Sequence, residues 1–199
     1  MHIPSPSAPR VDLDDQDLVE RARSDRSAFA ELYRRHVEPV YAFAYRRAGS
    51  REVAEEATSA TFEKALRSIG SFEWRPTGVR PWLYRIASNE VANIYRRSAV
   101  ANGPRGQSAL RELAPDVEHG GSPEVDGLAV AEPLRQAVAE LPTRYREAIT
   151  LRYLSGLSAD EAAVAMGCSK PMLAVTLHRA VGALRKKLSV NPMMLGGGA

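Results

Sequence analysis

Apolar residues recur at helical spacing along most of the chain from Asp17 onward, and the alternation typical of strands is nearly absent. The first stripe consists of Phe29, Leu32, Tyr33 and Val37. Pro39 follows it and is expected to break or restart the helix, which predicts a helical hairpin or a kinked pair. The pattern as a whole predicts an all-α protein.

The next two helices are separated by a loop. Ser50 is a suitable N-cap for a helix whose inward positions are predicted to be Val53, Ala57, Phe62, Leu66 and Ile69. Another side of that helix carries Glu52, Glu56, Ser59 and Glu63, a pattern that is usually a solvated face. Residues 72 to 82 contain two prolines and a glycine and are predicted to be a loop. A helix from Leu83 to Arg97 should follow.

The second half of the chain has the signals of a helix-turn-helix between Leu141 and Leu188. Gly156 ends one helical run, and Ser158 with Glu161 forms a capping box that opens the next. Gly167 permits the tight turn before a helix that starts near Pro171. The apolar stripe of this last helix is Leu173, Leu177, Ala180, Leu184 and Leu188. Its opposite face is left open for a DNA groove.

These patterns divide the chain into two small helical domains, 17–97 and 128–188. Residues 98–127 are rich in glycine, proline and acidic side chains and are predicted to be a flexible linker. Residues 1–16 and 189–199 lack a folded pattern and are predicted to be disordered tails.

Composition narrows the function. The 199 residues are 44% hydrophobic, which is ample for packed cores, and no run approaches the roughly 20 apolar residues of a membrane span. The N-terminus does not resemble a signal peptide, so a cytoplasmic protein without membrane contact is expected. The four histidines and the single Cys168 have no metal-ligand spacing. Cys168 is expected in the core rather than as a reactive thiol.

No phosphate-binding glycine loop or nucleophile–base pair is present, so neither a cofactor nor catalytic residues are predicted, and an enzyme is disfavoured. The net charge of +3 is unevenly spread: residues 17–97 and 128–190 each carry +4, whereas residues 1–16 carry −2 and residues 98–127 carry −3. The chain is thus two basic modules joined by an acidic connector. Basic modules favour binding to the phosphate backbone of nucleic acids. Mixed helical surfaces of similar charge also occur in proteins that bind no nucleic acid.

Three segments carry a resemblance to a known family. They are AFAELYRRHVEPVYAFAYRRAGSREVAEEATSATFEKALRSI, RPWLYRIASNEVANIYRR and LPTRYREAITLRYLSGLSADEAAVAMGCS. The first two resemble region 2, and the third resembles region 4, of the extracytoplasmic-function (ECF) type sigma factors of bacterial RNA polymerase, within the sigma-70 family. The resemblance covers roughly residues 17–97 and 128–188. It implies a protein that binds core RNA polymerase, recognises a promoter at two elements and helps to melt it.

The resemblance implies that the first module reads the minus-ten element, including the unpaired non-template strand. Such a surface must hold phosphates and capture bases by stacking and hydrogen bonding. The candidates are Trp74, Arg75, Arg80, Arg85, Asn89, Asn93, Arg96 and Arg97. Asn89 and Asn93 share one helix face, although they are also compatible with ordinary surface amides. Arg96 and Arg97 also suit the C-terminal end of a helix dipole, and Trp82 is expected to pack in the core.

The resemblance also implies a polymerase contact through the helix near residues 52–69, which in the family docks on the β′ coiled coil, and a contact with the β subunit. The candidates are Glu52, Glu55, Glu56, Ser59 and Glu63. The family commonly has a glutamine and an acidic residue where Ser59 and Ala60 stand, which puts individual roles at those two positions in question.

For the minus-thirty-five element the candidates are Ser169, Lys170, Pro171, Met172, Thr176, His178 and Arg179. The family usually has two basic residues where this chain has Ala174, Val175 and Thr176, so fewer phosphate anchors are expected. The resemblance further implies that an anti-sigma factor often holds such proteins inactive. The alternative hypothesis is a stand-alone helix-turn-helix regulator that binds duplex operators, which explains the second module only.

Overall fold

The computed structural model describes residues 14–101 and 132–190, and these residues form helices and turns without a strand. The first range contains α1 (Asp15–Ala22), α2 (Arg26–Ala48), α3 (Arg51–Ser68), a 3₁₀ turn (Ile69–Ser71) and α4 (Arg80–Ala101). The second contains α5 (Glu132–Ala139), α6 (Thr143–Ile149), a π-helical turn (Thr150–Leu154), α7 (Ala159–Ala165) and α8 (Lys170–Val190). The predicted all-α fold is confirmed. None of the described helices is long and apolar enough to cross a membrane.

Helix boundaries in the first module follow local capping chemistry. Asp14 accepts a hydrogen bond from the backbone N–H of Asp17, and Ser50 accepts one from Val53, so each side chain satisfies a donor that the helix itself leaves open. α2 ends at Gly49, whose φ of 72° is in the left-handed region. The predicted Ser50 cap is confirmed.

Pro39 does not interrupt its helix, so the predicted break into a helical hairpin is wrong. α2 continues for 23 residues through the proline. Leu32 and His36 before it, and Val40 and Phe43 after it, are all buried, whereas Pro39 is exposed. Burial on both sides of the proline holds the helix together despite the missing N–H.

The buried face of α3 is made of smaller residues than expected. Leu66 is 42% exposed, which makes its predicted inward position wrong. Ala57 and Phe62 are buried as predicted. Ala54, Thr61 and Ala65 also face inward, because small side chains allow α2 and α3 to pack closely. Thr61 donates its hydroxyl proton to the carbonyl oxygen of Ala57 at 2.6 Å, so its polar atom is satisfied inside the core. The predicted polar line of Glu52, Glu56, Ser59 and Glu63 is exposed.

Several elements extend beyond the predicted boundaries. α4 begins at Arg80 rather than Leu83, with Pro81 in the first turn, where a missing N–H costs the helix nothing. It continues to Ala101, into the predicted linker, α1 begins at Asp15 within the predicted tail, and α8 runs to Val190. The rest of the predicted linker and tails, residues 1–13, 102–131 and 191–199, lies outside the described residues.

Each module has its own apolar contacts, and a larger core joins the two. Within the first module, the Phe43 and Tyr84 rings meet edge to face with centroids 5.1 Å apart. In the second, Val138, Leu141 and Ala180 bring α5, the turn after it and α8 together. The joint core contains residues of α4 and of the helix-turn-helix, which are listed here: Leu83, Tyr84, Ile86, Ala87, Leu151, Leu157, Ala162, Ala163, Ala165 and Leu173. The modules therefore pack against one another, chiefly through α4 and α7.

Candidate nucleic-acid interface

The helix-turn-helix has the local geometry that its sequence predicts. Ser158 Oγ accepts from the backbone N–H of Glu161 at 3.2 Å, and Glu161 Oε2 accepts from the N–H of Ser158 at 2.7 Å. Gly156 and Gly167 have φ values of 66° and 62°, which favour glycine over residues with a side chain. The predicted capping box and both turns are confirmed. They fix the angle at which α8 leaves α7.

The open face of α8 is part apolar and part basic. Lys170, Pro171, Met172, His178 and Arg179, together with Ala174 and Val175, are exposed on it. Ser169 lies just before the helix, and its Oγ accepts from the N–H of Met172 at 3.4 Å. Lys170 Nζ lies 2.9 Å from Asp160 Oδ1, an ion pair with both side chains well exposed. One turn of this face therefore has no basic side chain.

Thr176 does not belong to that face. It is only 5% exposed, and its hydroxyl donates to the carbonyl oxygen of Met172 at 2.8 Å. Its position in the helix turns it toward the core of the module, because it stands three residues after the buried Leu173 and four before the buried Ala180. The prediction that Thr176 contacts DNA is therefore corrected.

The middle and the C-terminal end of α4 hold half of the predicted minus-ten residues. Asn89, Arg96 and Arg97 are exposed and Asn93 is half-buried. Arg96 Nη1 donates to Asn93 Oδ1 at 3.2 Å, and Arg97 Nη2 lies 2.7 Å from Glu56 Oε1 on α3. Such exposed pairs are weak and exchange readily with a phosphate or a base edge. Asn93, Arg96 and Arg97 share a shallow depression, which leaves them accessible together.

The N-terminal half of α4 contacts the second module. Arg80 Nη2 donates to the carbonyl oxygen of Ser155 at 3.1 Å, and its Nη1 lies 3.9 Å from Glu161 Oε1. The guanidinium of Arg85 lies against Gly167, with Cζ 3.4 Å from where a Cβ would stand. Arg80 is half-buried and Arg85 is exposed, so both remain partly accessible beside these contacts.

The loop before α4 is anchored by aromatic packing. The Phe72 ring lies 6.4 Å from the Trp74 ring and 4.6 Å from the Trp82 ring, between centroids, and both tryptophans pack against the main core. The core position predicted for Trp82 agrees with this packing. Trp74 is half-buried and Arg75 is exposed. Part of the Trp74 ring thus packs against Phe72 and the main core, and the rest of its surface is accessible.

A groove between α2 and α3 was missed by the sequence reasoning. It is lined by Tyr33, Val37, Tyr41, Glu55, Ser59 and Phe62. Tyr33 is 43% exposed, although its place in the apolar stripe of α2 predicted an inward side chain. Its ring meets that of Phe62 edge to face, with centroids 4.9 Å apart. The groove gathers Glu55 and Ser59 from the predicted polymerase set, whereas Glu52, Glu56 and Glu63 do not line it.

Buried charges lie where the modules meet, and the sequence reasoning also missed these. Arg47 Nη1 lies 2.8 Å from Glu147 Oε2, and the two side chains are only 9% and 13% exposed. Ser88 donates its hydroxyl proton to Glu147 Oε1. Burial lowers the pKa of Arg146, and neighbouring Arg47 lowers it further. Burial raises the pKa of Tyr84, which Arg80 partly opposes.

Nothing in the described ranges resembles a metal centre: no group of three His, Cys, Asp or Glu side chains is suitably placed there. Cys168 is a free thiol that packs, partly buried, against the main core. Its position agrees with the structural role expected from the sequence.

Comparison with known proteins accounts for both modules. Residues 32–100 match the family described as Sigma-70 region 2, and residues 131–184 match Sigma-70, region 4. The ECF RNA polymerase sigma-E factor of Escherichia coli (strain K12) is 35% identical over 193 residues, which are 92% of this chain and 97% of that protein. The ECF RNA polymerase sigma factor BldN of Streptomyces coelicolor is 36% identical over 176 residues, which are 86% of this chain but 65% of BldN.

Solved structures share the fold. The sigma factor RpoE of Bartonella quintana, in complex with the anti-sigma factor NepR, matches 82% of this chain and 98% of its own with a TM-score of 0.63 and 26% identity. CnrH, in complex with the cytosolic domain of CnrY, gives a TM-score of 0.64 over 89% of this chain and 98% of CnrH at 23% identity. Two matched regions in family order, with a full-length relative at 35% identity, leave the stand-alone regulator without support. The chain therefore belongs to the ECF RNA polymerase sigma factors of the sigma-70 family and is a transcription initiation factor rather than an enzyme.

Proposed function

We propose that this chain binds core RNA polymerase in the cytoplasm and directs it to promoters through three separate surfaces. The groove between α2 and α3 contacts polymerase, α4 and the preceding loop read the minus-ten element, and α8 reads the minus-thirty-five element. The observation that carries the proposal is the order of the two family regions along one chain, each with a surface suited to its task.

The polymerase surface combines an apolar groove with an acidic rim. Exposed Tyr33 and half-buried Tyr41 offer aromatic area, which is enriched at protein interfaces. Glu55 and Ser59 line the same groove, with Glu52, Glu56 and Glu63 beyond it on the exposed side of α3. We assign this groove to the coiled coil of the β′ subunit, and a further contact to the β subunit.

The minus-ten surface offers phosphate anchors and base contacts in different places. Arg96 and Arg97 suit the backbone, and the amides of Asn89 and Asn93 suit base edges. Trp74 and Arg75 in the loop suit an unpaired base, because an aromatic ring stacks on any base and a guanidinium holds the adjacent phosphate. Arg80 is half-buried and Arg85 is exposed, and they add two cations to this surface.

The minus-thirty-five surface is the exposed face of α8. Lys170, His178 and Arg179 supply hydrogen-bond donors, and Ser169 stands at the helix start. Met172 and Val175 are 50% and 47% exposed and suit contact with a thymine methyl group. Pro171 sets the entry of the helix but offers no N–H to a phosphate.

Transcription by reconstituted polymerase tests the proposal. Core enzyme with the purified chain should start RNA at specific positions in genomic DNA of the source bacterium, and core enzyme alone should not. Tyr33→Ala should abolish initiation while the helical content is retained, whereas Ala30→Ser, at an exposed position of the same helix outside the groove, should not. Absence of specific initiation on the whole genome would refute the proposal. Regulation by an anti-sigma factor, as in the RpoE–NepR complex, is part of the proposal and predicts a protein that blocks this initiation.

A further inference from the structure

The first exposed turn of α8 is apolar. Met172 and Val175 are 50% and 47% exposed, and they are two of the six large apolar side chains that are exposed among the described residues. Pro171 and Ala174 beside them are exposed as well. None of these four side chains has a hydrogen-bond donor or a strong acceptor. This turn therefore cannot read a base edge by hydrogen bonds or hold a phosphate by charge.

The backbone at the start of α8 offers little to a phosphate either. Pro171 has no N–H. The N–H of Met172 donates to Ser169 Oγ at 3.4 Å, and the N–H of Leu173 donates to the carbonyl oxygen of Ser169 at 2.9 Å. Helix N-termini bind anions through N–H groups that have no other partner. Because one of these three donors is absent and two are already used, the turn makes its contacts chiefly through apolar surface.

Cations flank this apolar turn along the helix. α8 contains five basic residues and no acidic one, and Lys170, Arg179, Arg185 and Lys186 are exposed. Duplex DNA has phosphates on both sides of a groove floor that consists of base edges. An apolar turn with cations on either side of it matches that arrangement. The partner of this face is therefore the floor of the major groove rather than an apolar protein surface.

The apolar group on that floor is the C5-methyl group of a pyrimidine. Among the four unmodified bases only thymine carries it, and 5-methylcytosine has the same methyl group at the same ring position. Met172 and Val175 are three residues apart, which is about 4.5 Å along the helix axis. This separation lies between one and two base-pair steps of about 3.4 Å. The two side chains can therefore contact methyl groups on neighbouring base pairs.

Gly182 allows the exposed face of α8 to approach DNA closely. Pro171, Val175, His178 and Gly182 follow one another at steps of four, three and four, so they form one line along the exposed side. No atom lies within 4 Å of the position that a Cβ of Gly182 would take, so packing within the protein does not require glycine. Glycine destabilises a helix interior relative to alanine, and close approach of the backbone to a ligand is one use that offsets this cost.

We propose that α8 identifies its promoter element through pyrimidine C5-methyl groups, which Met172 and Val175 contact in the major groove, and that Gly182 permits the close approach. This inference rests on the proposed function, because it specifies what α8 reads there. Thymine supplies the methyl group in unmodified DNA. 5-Methylcytosine supplies it as well, so methylation of a cytosine at a contacted position strengthens binding of the polymerase that carries this chain.

Removal of single methyl groups from the DNA tests the proposal. The probe is a promoter duplex identified by its own transcripts, in which each thymine of the upstream element is replaced in turn by uracil, which lacks only the methyl group. Loss of a contacted methyl group should weaken binding of reconstituted polymerase about fourfold. Uracil between the two promoter elements is the matched control and should leave the affinity unchanged. Equal affinities at every upstream position would overturn the proposal.

A second set of duplexes adds the methyl group to another base. Cytosine paired with guanine at a contacted position should bind more weakly than thymine, and 5-methylcytosine should bind about fourfold more tightly than cytosine. Equal affinities for cytosine and 5-methylcytosine would show that the methyl group is not what α8 reads.

Variants of the chain assign each methyl group to a side chain. At each contacted position, either Met172→Ala or Val175→Ala should remove the difference in affinity between thymine and uracil. Tyr153→Ala is the matched control, because it removes another exposed aromatic side chain of the second module, outside α8, and it should keep the full difference. A fourfold difference that persists in both α8 variants would overturn the assignment, even if the variants bound polymerase less tightly.

Gly182→Ala separates DNA contact from folding. The variant should raise the midpoint of thermal unfolding, since alanine favours the helix, and should weaken promoter binding several-fold. A folding defect cannot explain a loss of binding in a more stable protein. Unchanged or tighter promoter binding would overturn the role of Gly182. Absence of specific initiation by the wild type contradicts the proposed function, whereas specific initiation with equal affinities for thymine and uracil contradicts this inference alone.

Discussion

At the residue scale, the main feature of α8 is a turn without basic side chains on its exposed face. Ala174 and Val175 are exposed on the face of α8 that meets DNA in the proposed function, and the nearest cations on the helix are Lys170 and Arg179. Each missing cation removes one phosphate contact together with the counterion release that accompanies it. The absence of basic residues here was readable from the sequence, because helical spacing shows which residues share a face. The burial of Thr176 was not, because it depends on how α8 rotates against its neighbours.

Ala174→Lys should restore a phosphate contact. Binding of reconstituted polymerase to its promoter should tighten, and the slope of log K against log salt should steepen by about 0.9. Ala30→Lys adds the same charge at an exposed position of α2 and should leave the slope unchanged. Filter binding or anisotropy over a salt series measures both. Identical slopes for the two variants would contradict the assignment of α8 to DNA.

At the element scale, local chemistry predicted helix ends better than helix continuity. The caps at Ser50 and Ser158 were predictable because each involves residues within three positions of one another. The path of α2 through Pro39 was not, because it depends on the burial of Leu32 and Phe43 on either side, against residues distant in sequence. The exposure of Leu66 has the same origin, since α2 selects the small-residue face of α3.

Ser158→Ala should lower the free energy of unfolding of the second module by about 1 kcal/mol, because the N–H of Glu161 loses its acceptor. Ser158→Asn should stay within a few tenths of a kcal/mol of the wild type, since asparagine is an equally good N-cap. Urea denaturation followed by circular dichroism measures the difference. Equal midpoints for the alanine variant and the wild type would contradict the role of the capping box.

Pro39→Ala should raise the free energy of unfolding by about 2 kcal/mol, a part of the roughly 3 kcal/mol by which alanine exceeds proline inside a helix. The gain arises because α2 is already continuous and the variant restores one backbone hydrogen bond. Glu38→Ala, at the exposed neighbouring position, should change it by less than about 0.5 kcal/mol. A less stable Pro39→Ala variant would show that the proline sets a required helix geometry.

At the scale of the whole molecule, the chain is two recognition modules that this structure holds together. The modules themselves were predictable, because each has apolar residues at helical spacing and the motifs that resemble regions 2 and 4 follow one another in the order of the family. Their contact was not, because Arg47 and Arg146 are 99 residues apart and neither stands in a recognisable pattern. The burial of Glu147 between the modules therefore could not be predicted from the sequence and is seen only in the structure. The contacts of Arg80 and Arg85 with the second module likewise join residues distant in sequence.

The central claim is that one chain recognises two promoter elements when bound to polymerase. The most direct measurement is a hydroxyl-radical footprint of the reconstituted polymerase on a promoter identified by its own transcripts. Two protected regions centred about 25 base pairs apart are expected, on the order of 80 Å along the duplex. Alanine at Asn89 and Asn93 should reduce protection of the downstream region only. Alanine at His178 and Arg179 should reduce protection of the upstream region only. A single protected region that the chain alone produces, without polymerase, would contradict the account.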